Sequence, residues 1–230
     1  MLETRRDTEE LMDDPALPAA TYDAVLADLA QVNRVTMAYR PTLAFLDRAL
    51  AGRKSFRLLD VGYGQGDMLR EIAAWAGERG VKAELVGVDL NPRSEAAAKA
   101  ATPPDMPIRY RTGDYADLGG RGWDVIVSSL VAHHMSSEEL VLFLQFMDTE
   151  VSAGWFVNDL HRHAVSYLGY PVLAKLARWH PIVRADGHTS IARSYRPAEW
   201  DALLAEAEVT GASVQRYFPF RLCVEKLRGR

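Results

Sequence analysis

Apolar residues change their period along this chain, and each change marks an element. Between Thr21 and Leu50 the spacing is helical, with Val25, Leu29, Val32 and Val35 followed by Leu43, Leu46 and Leu50. Pro41 predicts a break or a new helix start after Arg40, and Gly52 predicts a stop. Beyond that point short apolar runs alternate with helical stretches. Strands are expected at 57–61, 83–89, 108–111, 123–129 and 153–159, and helices at 68–78, 92–101, 136–150 and 197–208. Ser136 and Ser137 with Glu139 predict a capping box at one of these helix starts. Continuously apolar strands alternating with helices argue an α/β chain whose parallel sheet is covered on both faces. Two further strand-like runs, 209–217 and 220–225, meet at Phe218-Pro219, and so short a turn joins only antiparallel neighbours. Residues 1–20 are charged and then rich in Pro and Ala, which predicts a loose arm or a short helix that packs late. The division expected is 1–55 for an arm and helices and 56–230 for the main domain, with an insertion at 160–196.

The chemistry concentrates where the first strand ends. Leu58-Leu59-Asp60-Val61 runs into Gly62-Tyr63-Gly64-Gln65-Gly66, with glycines at alternate positions. Glycine permits a left-handed backbone and lets a ligand come closer than a Cβ would allow. The helix after this turn points its free N–H groups at whatever lies there. A dinucleotide site would space its glycines as G-x-G-x-x-G. This chain does not, and it adds a carboxylate two residues before the first glycine. Asp60 suits a ligand that carries an ammonium and a sulfonium better than one that carries a pyrophosphate. Asp89 closes the next strand and could accept from two ribose hydroxyls, which would also fit NAD.

From about Phe56 to Glu225 the chain resembles the class I S-adenosylmethionine-dependent methyltransferases. Four segments carry the resemblance: Leu59 to Gly66, Val86 to Pro92, Gly113 to Leu118, and Trp123 to Leu130. It implies a Rossmann-like three-layer sandwich with a mostly parallel seven-stranded sheet, an antiparallel last strand, N-terminal helices and a helical lid. It also implies S-adenosylmethionine as cofactor and S-adenosylhomocysteine as product. Carried over by position, Asp60 orients the methionine ammonium, and Gly62, Gly64 and Gly66 allow close approach. Asp89 accepts from the ribose, Leu90 packs on adenine, and Asp114 and Tyr115 meet the adenine edge. Ser129 and Leu130 stand where the methyl should point. Many relatives have Cys where this chain has Tyr63, which is expected to cover the methionine end. Tyr22, Asn33, Arg34, Tyr39 and Arg40, on the N-terminal helices, are candidate contacts or simply faces of amphipathic helices.

Composition narrows the partners. The 230 residues carry 27 basic and 31 acidic side chains, a net charge of −4, which disfavours nucleic acid as the main ligand. Arg221, Lys226, Arg228 and Arg230 read as a solvated basic tail. One cysteine, Cys223, excludes an internal disulfide and a Cys-rich zinc site, and it reads as a buried thiol. The charged first residues argue against a signal peptide, and no apolar run reaches bilayer length, so a cytoplasmic protein is expected.

Methyl transfer aligns a nucleophile with the methyl carbon and sulfur, and removes a proton where the nucleophile carries one. Histidine suits a phenol proton, and histidines come after the fourth and fifth strands. His161 and His133 are the candidate catalytic residues, with His134 read as a packing element at a helix start. His163, Tyr167, Tyr170, His188 and Tyr195 are candidate substrate contacts, although alternation along an extended segment keeps His161 and His163 from facing one pocket together. The 160–196 insertion, aromatic and basic with Arg162, Arg178, Arg184, Arg193 and Arg196, is expected as a lid or a dimer contact. No metal is expected, because 129–135 contains no acid, although Asn158 and Asp159 beside the histidines could offer ligands. The acceptor expected is a small aromatic, phenolic or polyketide-like molecule, methylated on oxygen or carbon. Protein or RNA methylation, a non-catalytic cofactor-binding partner and, more distantly, an NAD-dependent reductase stay open, as does a homodimer.

Overall fold

Neighbouring residues in the central strands point to opposite faces of a sheet that is buried on both sides, which is why they read as unbroken apolar runs. In the computed structural model, which describes residues 2–229, seven strands form one sheet. They are β1 (Ser55–Val61), β2 (Lys82–Asp89), β3 (Ile108–Thr112), β4 (Trp123–Ser129), β5 (Val151–Leu160), β6 (Ser213–Tyr217) and β7 (Arg221–Leu227). Their order is β3-β2-β1-β4-β5-β7-β6. The pairs β1–β2, β1–β4, β2–β3 and β4–β5 are parallel, and β7 runs against both β5 and β6. This is the expected Rossmann-like sheet with its reversed last strand.

Eight helices accompany it among the described residues: α1 (Ala19–Val35), α2 (Tyr39–Ala49), α3 (Asp67–Glu78), α4 (Pro92–Ala101), α5 (Ser137–Glu150), α6 (Ala164–Leu176), α7 (Pro181–Arg193) and α8 (Pro197–Glu206). Leu59 and Ile126 face a core filled by Phe143 and Met147 of α5 and Trp200 of α8. Leu58 and Val125, one residue away, face Phe45 of α2 and Ile72 of α3 on the other side. Ser136 caps α5 as predicted: its Oγ accepts from Glu139 N, and Glu139 Oε2 accepts from Ser136 N.

Strand order reverses between β1 and β4, and in open α/β sheets the crevice at such a switch point is where ligands bind. The glycine turn after β1 and the segment after β4 therefore share one crevice. Helices α6 and α7, the insertion, pack on each other, and α7 also packs against α1.

Four sequence expectations need correction. The helix break falls at Thr36–Ala38, with Met37 left-handed, and Pro41 sits in the first turn of α2, where a missing N–H costs nothing. The run expected at 209–217 becomes a strand only from Ser213, because 207–211 closes α8 through Val209 N–H to Leu204 O and turns at Gly211.

The third concerns the N-terminal arm, which is threaded into the fold. Buried Arg162 donates to Leu2 O, Arg193 to Thr8 O and Arg196 to Leu2 O. Arg5 donates to the carbonyls of His133, Met135 and Arg193. Much of this attachment runs through arm carbonyls, which every residue supplies, so side-chain patterning at 1–20 could not reveal it. Guanidinium groups expected over a substrate hold the arm.

The basic tail also divides. Arg221 is buried, and Lys226 and Arg228 pair with Asp148. Arg230 lies outside the described residues.

Candidate active site

The turn after β1 is built by left-handed glycines. At Gly62, with φ +76°, a Cβ would lie 2.2 Å from Val131 Cγ2, so the segment after β4 closes on the turn only because no side chain is there. At Gly66, with φ +74°, a Cβ would meet the Tyr110 hydroxyl at 2.4 Å. Both glycines are required by packing, and Gly62 also lines the cavity described below whereas Gly66 does not. Tyr63 is buried in the core beneath Gly87 and against Tyr110.

Three carboxylates gather at this end. Asp60 is 1% exposed, and neither of its oxygens has a hydrogen-bond partner among the described residues. Burial pushes its pKa well above the ordinary carboxylate value, and the charges of Asp67 and Asp89 add to the push. Asp67 Oδ2 accepts from Tyr39 Oη at 2.8 Å and Asn33 Nδ2 at 2.9 Å, which ties the N-terminal helices to the start of α3. Asp89 Oδ2 accepts from Gly64 N and its Oδ1 from Asn91 N. Burial raises the Asp89 pKa, against the effect of those two N–H donors.

An unpartnered buried carboxylate among like charges is costly unless a cation joins it. That donor set fits S-adenosylmethionine, whose ammonium and sulfonium outnumber its one carboxylate. A pyrophosphate would meet three acids.

A cavity of about 740 Å³ opens from this floor. Leu90, Gly113, Tyr115, Ser129 and Leu130 are among its lining residues. Asp114 is exposed and caps the 3-10 turn after it through Ala116 N–H, away from the lining. Tyr22, Asn33 and Tyr39 line the cavity, whereas Arg34 and Arg40 are exposed and do not.

The histidines separate. His161 lines the cavity, and its pKa is lowered to about 4, first by burial and then by Arg216, His163 and other cations, so its ring is neutral at neutral pH. His133 is buried, with Nδ1 2.7 Å from Asp159 Oδ1 and Nε2 3.4 Å from Glu10 Oε1. Burial alone would lower its pKa, but Asp159 and Glu10 outweigh that and raise it to about 9. His163 is exposed and caps α6 through Val165 N–H. Among the insertion candidates Tyr170 lines the cavity, its hydroxyl donating to Val183 O. Tyr167 stacks on His188 at 3.7 Å, and Tyr195 donates to Met135 O; these three support the insertion without lining the cavity.

Two residues of the site were missed by sequence reasoning. Glu10 reaches the cavity from the arm, and its Oε1 also accepts from Ser190 Oγ at 2.7 Å. Arg221 lines the cavity at the start of β7, fully buried, with Nη1 unpartnered among the described residues. Its place in a run of basic residues concealed it. A cation leading into an apolar strand was the available signal.

Residues 58–151 match the profile of a family described as a methyltransferase domain. No curated protein matches the chain by sequence. Solved structures agree in fold. The plantazolicin methyltransferase BpumL, in complex with a pentazolic desmethylPZN analog and SAH, is 14% identical with a TM-score of 0.69, over 94% of this chain and 92% of that one. Human N-acetylserotonin methyltransferase in complex with SAM is 16% identical with a TM-score of 0.66, over 98% and 61%. Magnesium protoporphyrin IX methyltransferase from Synechocystis PCC 6803 with bound SAH is 17% identical with a TM-score of 0.57, over 95% and 91%.

Proposed function

We propose, from the premise that this chain carries a class I methyltransferase domain, that it moves a methyl group from S-adenosylmethionine to a small, largely apolar acceptor held under α6 and α7. The observation that carries this reading is one cavity with two kinds of wall. Its floor has the unpartnered Asp60 carboxylate, and its far side has Leu29, Val165, Tyr170, Leu173 and Phe220. Such a wall favours a flat or hydrophobic molecule, with a few polar groups left to orient it. The similar structures are named for three different acceptors, so the wall and not the likeness carries the choice.

The bound cofactor supplies an electrophilic methyl on a positively charged sulfur. Asp60 takes the ammonium, and Asp89 has acceptor capacity left for the ribose. The helices α1 and α2, with the insertion, exclude water and hold the acceptor for an in-line approach. His161, neutral in this site, accepts a hydrogen bond from an acceptor hydroxyl. With so low a pKa it is a weak base, which suits orientation better than full deprotonation. The insertion, which supplies Val165, Tyr170 and Leu173 to the lining, favours a small acceptor over a protein or RNA chain, which would need an open groove.

Calorimetric titration with S-adenosylhomocysteine, with NAD⁺ alongside, tests the first half. Saturable one-site binding of the former alone is expected, and no binding would overturn the reading. Transfer of labelled methyl from S-adenosylmethionine into a panel of phenols then tests the second.

A further inference from the structure

The acid that 129–135 lacks arrives from the other end of the chain. Glu10 Oε1 lies 3.4 Å from His133 Nε2 and 3.7 Å from His134 Nε2, and the three ligand atoms all lie within 4.8 Å of one another. A cation at the usual ~2.0–2.1 Å from nitrogen and oxygen ligands places them roughly 3.3–3.5 Å apart when tetrahedral. The observed spacings to Glu10 are close to that.

The other ring nitrogens are also occupied as a metal site requires. His133 Nδ1 meets Asp159 Oδ1 at 2.7 Å, and His134 Nδ1 meets Asp13 Oδ2 at 3.4 Å. A carboxylate behind each imidazole selects the Nδ1–H tautomer and presents Nε2 as the ligand. Ser190 Oγ donates to the same Glu10 Oε1 at 2.7 Å and fixes its position. We propose that Glu10, His133 and His134 bind one divalent cation of the zinc and cobalt class at the wall of the cavity.

Two imidazoles and one carboxylate suit a borderline cation better than magnesium or calcium, which prefer oxygen. Three protein ligands leave a tetrahedral position vacant, and all three residues line the cavity. That position takes water or an oxygen of the acceptor. Resting on the methyl-transfer reading, this deepens the acceptor class to an oxygen nucleophile. The cation lowers the pKa of the coordinated hydroxyl, whose proton leaves to water. The oxygen lone pair then forms the bond to the methyl carbon as the carbon–sulfur pair departs on sulfur.

The test uses the full untagged chain, stripped with EDTA and dialysed. Titration with Co²⁺ should give saturable uptake of one equivalent and a visible band of low-coordinate cobalt, displaced by Zn²⁺. Glu10→Gln and His134→Gln should each weaken uptake by at least about tenfold, and Asp159→Asn by about 10–100-fold. His180→Asn, which keeps a capping side chain on α7, should leave it unchanged. Absence of the band, unsaturable uptake, or uptake indifferent to both ligand variants would overturn the inference and leave a proton-sharing network. Should Glu10→Gln fail to fold, His134→Gln at the more open ligand decides. S-adenosylhomocysteine is titrated into the same samples. Its binding without cobalt uptake rejects the cation alone, and cobalt uptake without its binding rejects the methyl-transfer reading alone.

Discussion

Arg221 Nη2 donates to Thr36 Oγ1 across 3.2 Å, which joins the start of β7 to the break between α1 and α2 and leaves Nη1 without a partner at the cavity. Burial lowers the Arg221 pKa, against the pull of Cys223, Asp159, Tyr39 and Asp67. A buried guanidinium with an open donor is poised for a carboxylate.

That geometry gives the first prediction. Arg221→Met should leave the free protein no less stable, because a poorly compensated buried charge is removed. Binding of S-adenosylhomocysteine should weaken by about 10–150-fold, in line with 1.5–3 kcal/mol for a charge-assisted hydrogen bond. Binding of 5′-methylthioadenosine, which lacks the carboxylate, should not change. Calorimetry on both ligands checks this, and an unchanged ratio would reassign Arg221 to the acceptor half.

Asp60 predicts a pH dependence. Its pKa in the free protein lies well above 3.8, so the ionised form burdens the fold. Stability contributed through this group falls as pH rises from about 3.8 to the raised value, and is flat beyond it. A bound ammonium reverses the preference and expels a proton. Affinity for S-adenosylhomocysteine should therefore increase with pH across that window, with an enthalpy that depends on buffer ionisation. Asp60→Asn should remove the buffer dependence and weaken binding by about 10–150-fold. Equal enthalpies in phosphate and Tris for the unaltered protein would contradict the assignment.

Gly62 and Val131 predict a non-additive pair. Gly62→Ala should destabilise by at least about 1–3 kcal/mol from its left-handed backbone, with the Val131 contact added. Val131→Ala in the same chain should restore part of the loss, because Val131 Cβ would stand 3.3 Å from the new methyl. Urea denaturation of the two single variants and the double variant measures the coupling. Strict additivity would place the strain elsewhere.

Arg5 tests the threaded arm. Its guanidinium makes three bonds to carbonyls and lies 4.4 Å from the Tyr195 ring centroid. Arg5→Ala should cost about 1.5–3 kcal/mol or more, whereas an arginine in a loose arm would cost almost nothing. An unchanged urea midpoint would show that the arm does not hold.

The legible parts of this protein were those encoded within about ten residues. The glycine turn with Asp60, the acid ending β2, and the Ser136 cap each depend on a strand, a turn or a helix start that local pattern specifies. Glu10 and Arg221 depend on distant segments meeting, and neither lies in a periodic run that points to a site. The histidines show the boundary. Alternation separated His161 from His163, and the structure puts the first on the cavity and the second at a helix cap. That Asp159 would engage His133 rather than His161 could not be read, because it requires β4 and β5 to be neighbours with their ends in register.

The acidic floor keeps acting once the methyl group has left. On the proposed reaction, transfer would strip the positive charge from sulfur, while the acidic side chains beneath it stay in place. The spent cofactor thus sits over carboxylates that have lost a counterion, and a fresh donor molecule restores it. In a partly buried site that difference favours exchange of spent for fresh cofactor. On that reading, the carboxylates that recruit the donor would also hasten release of the product.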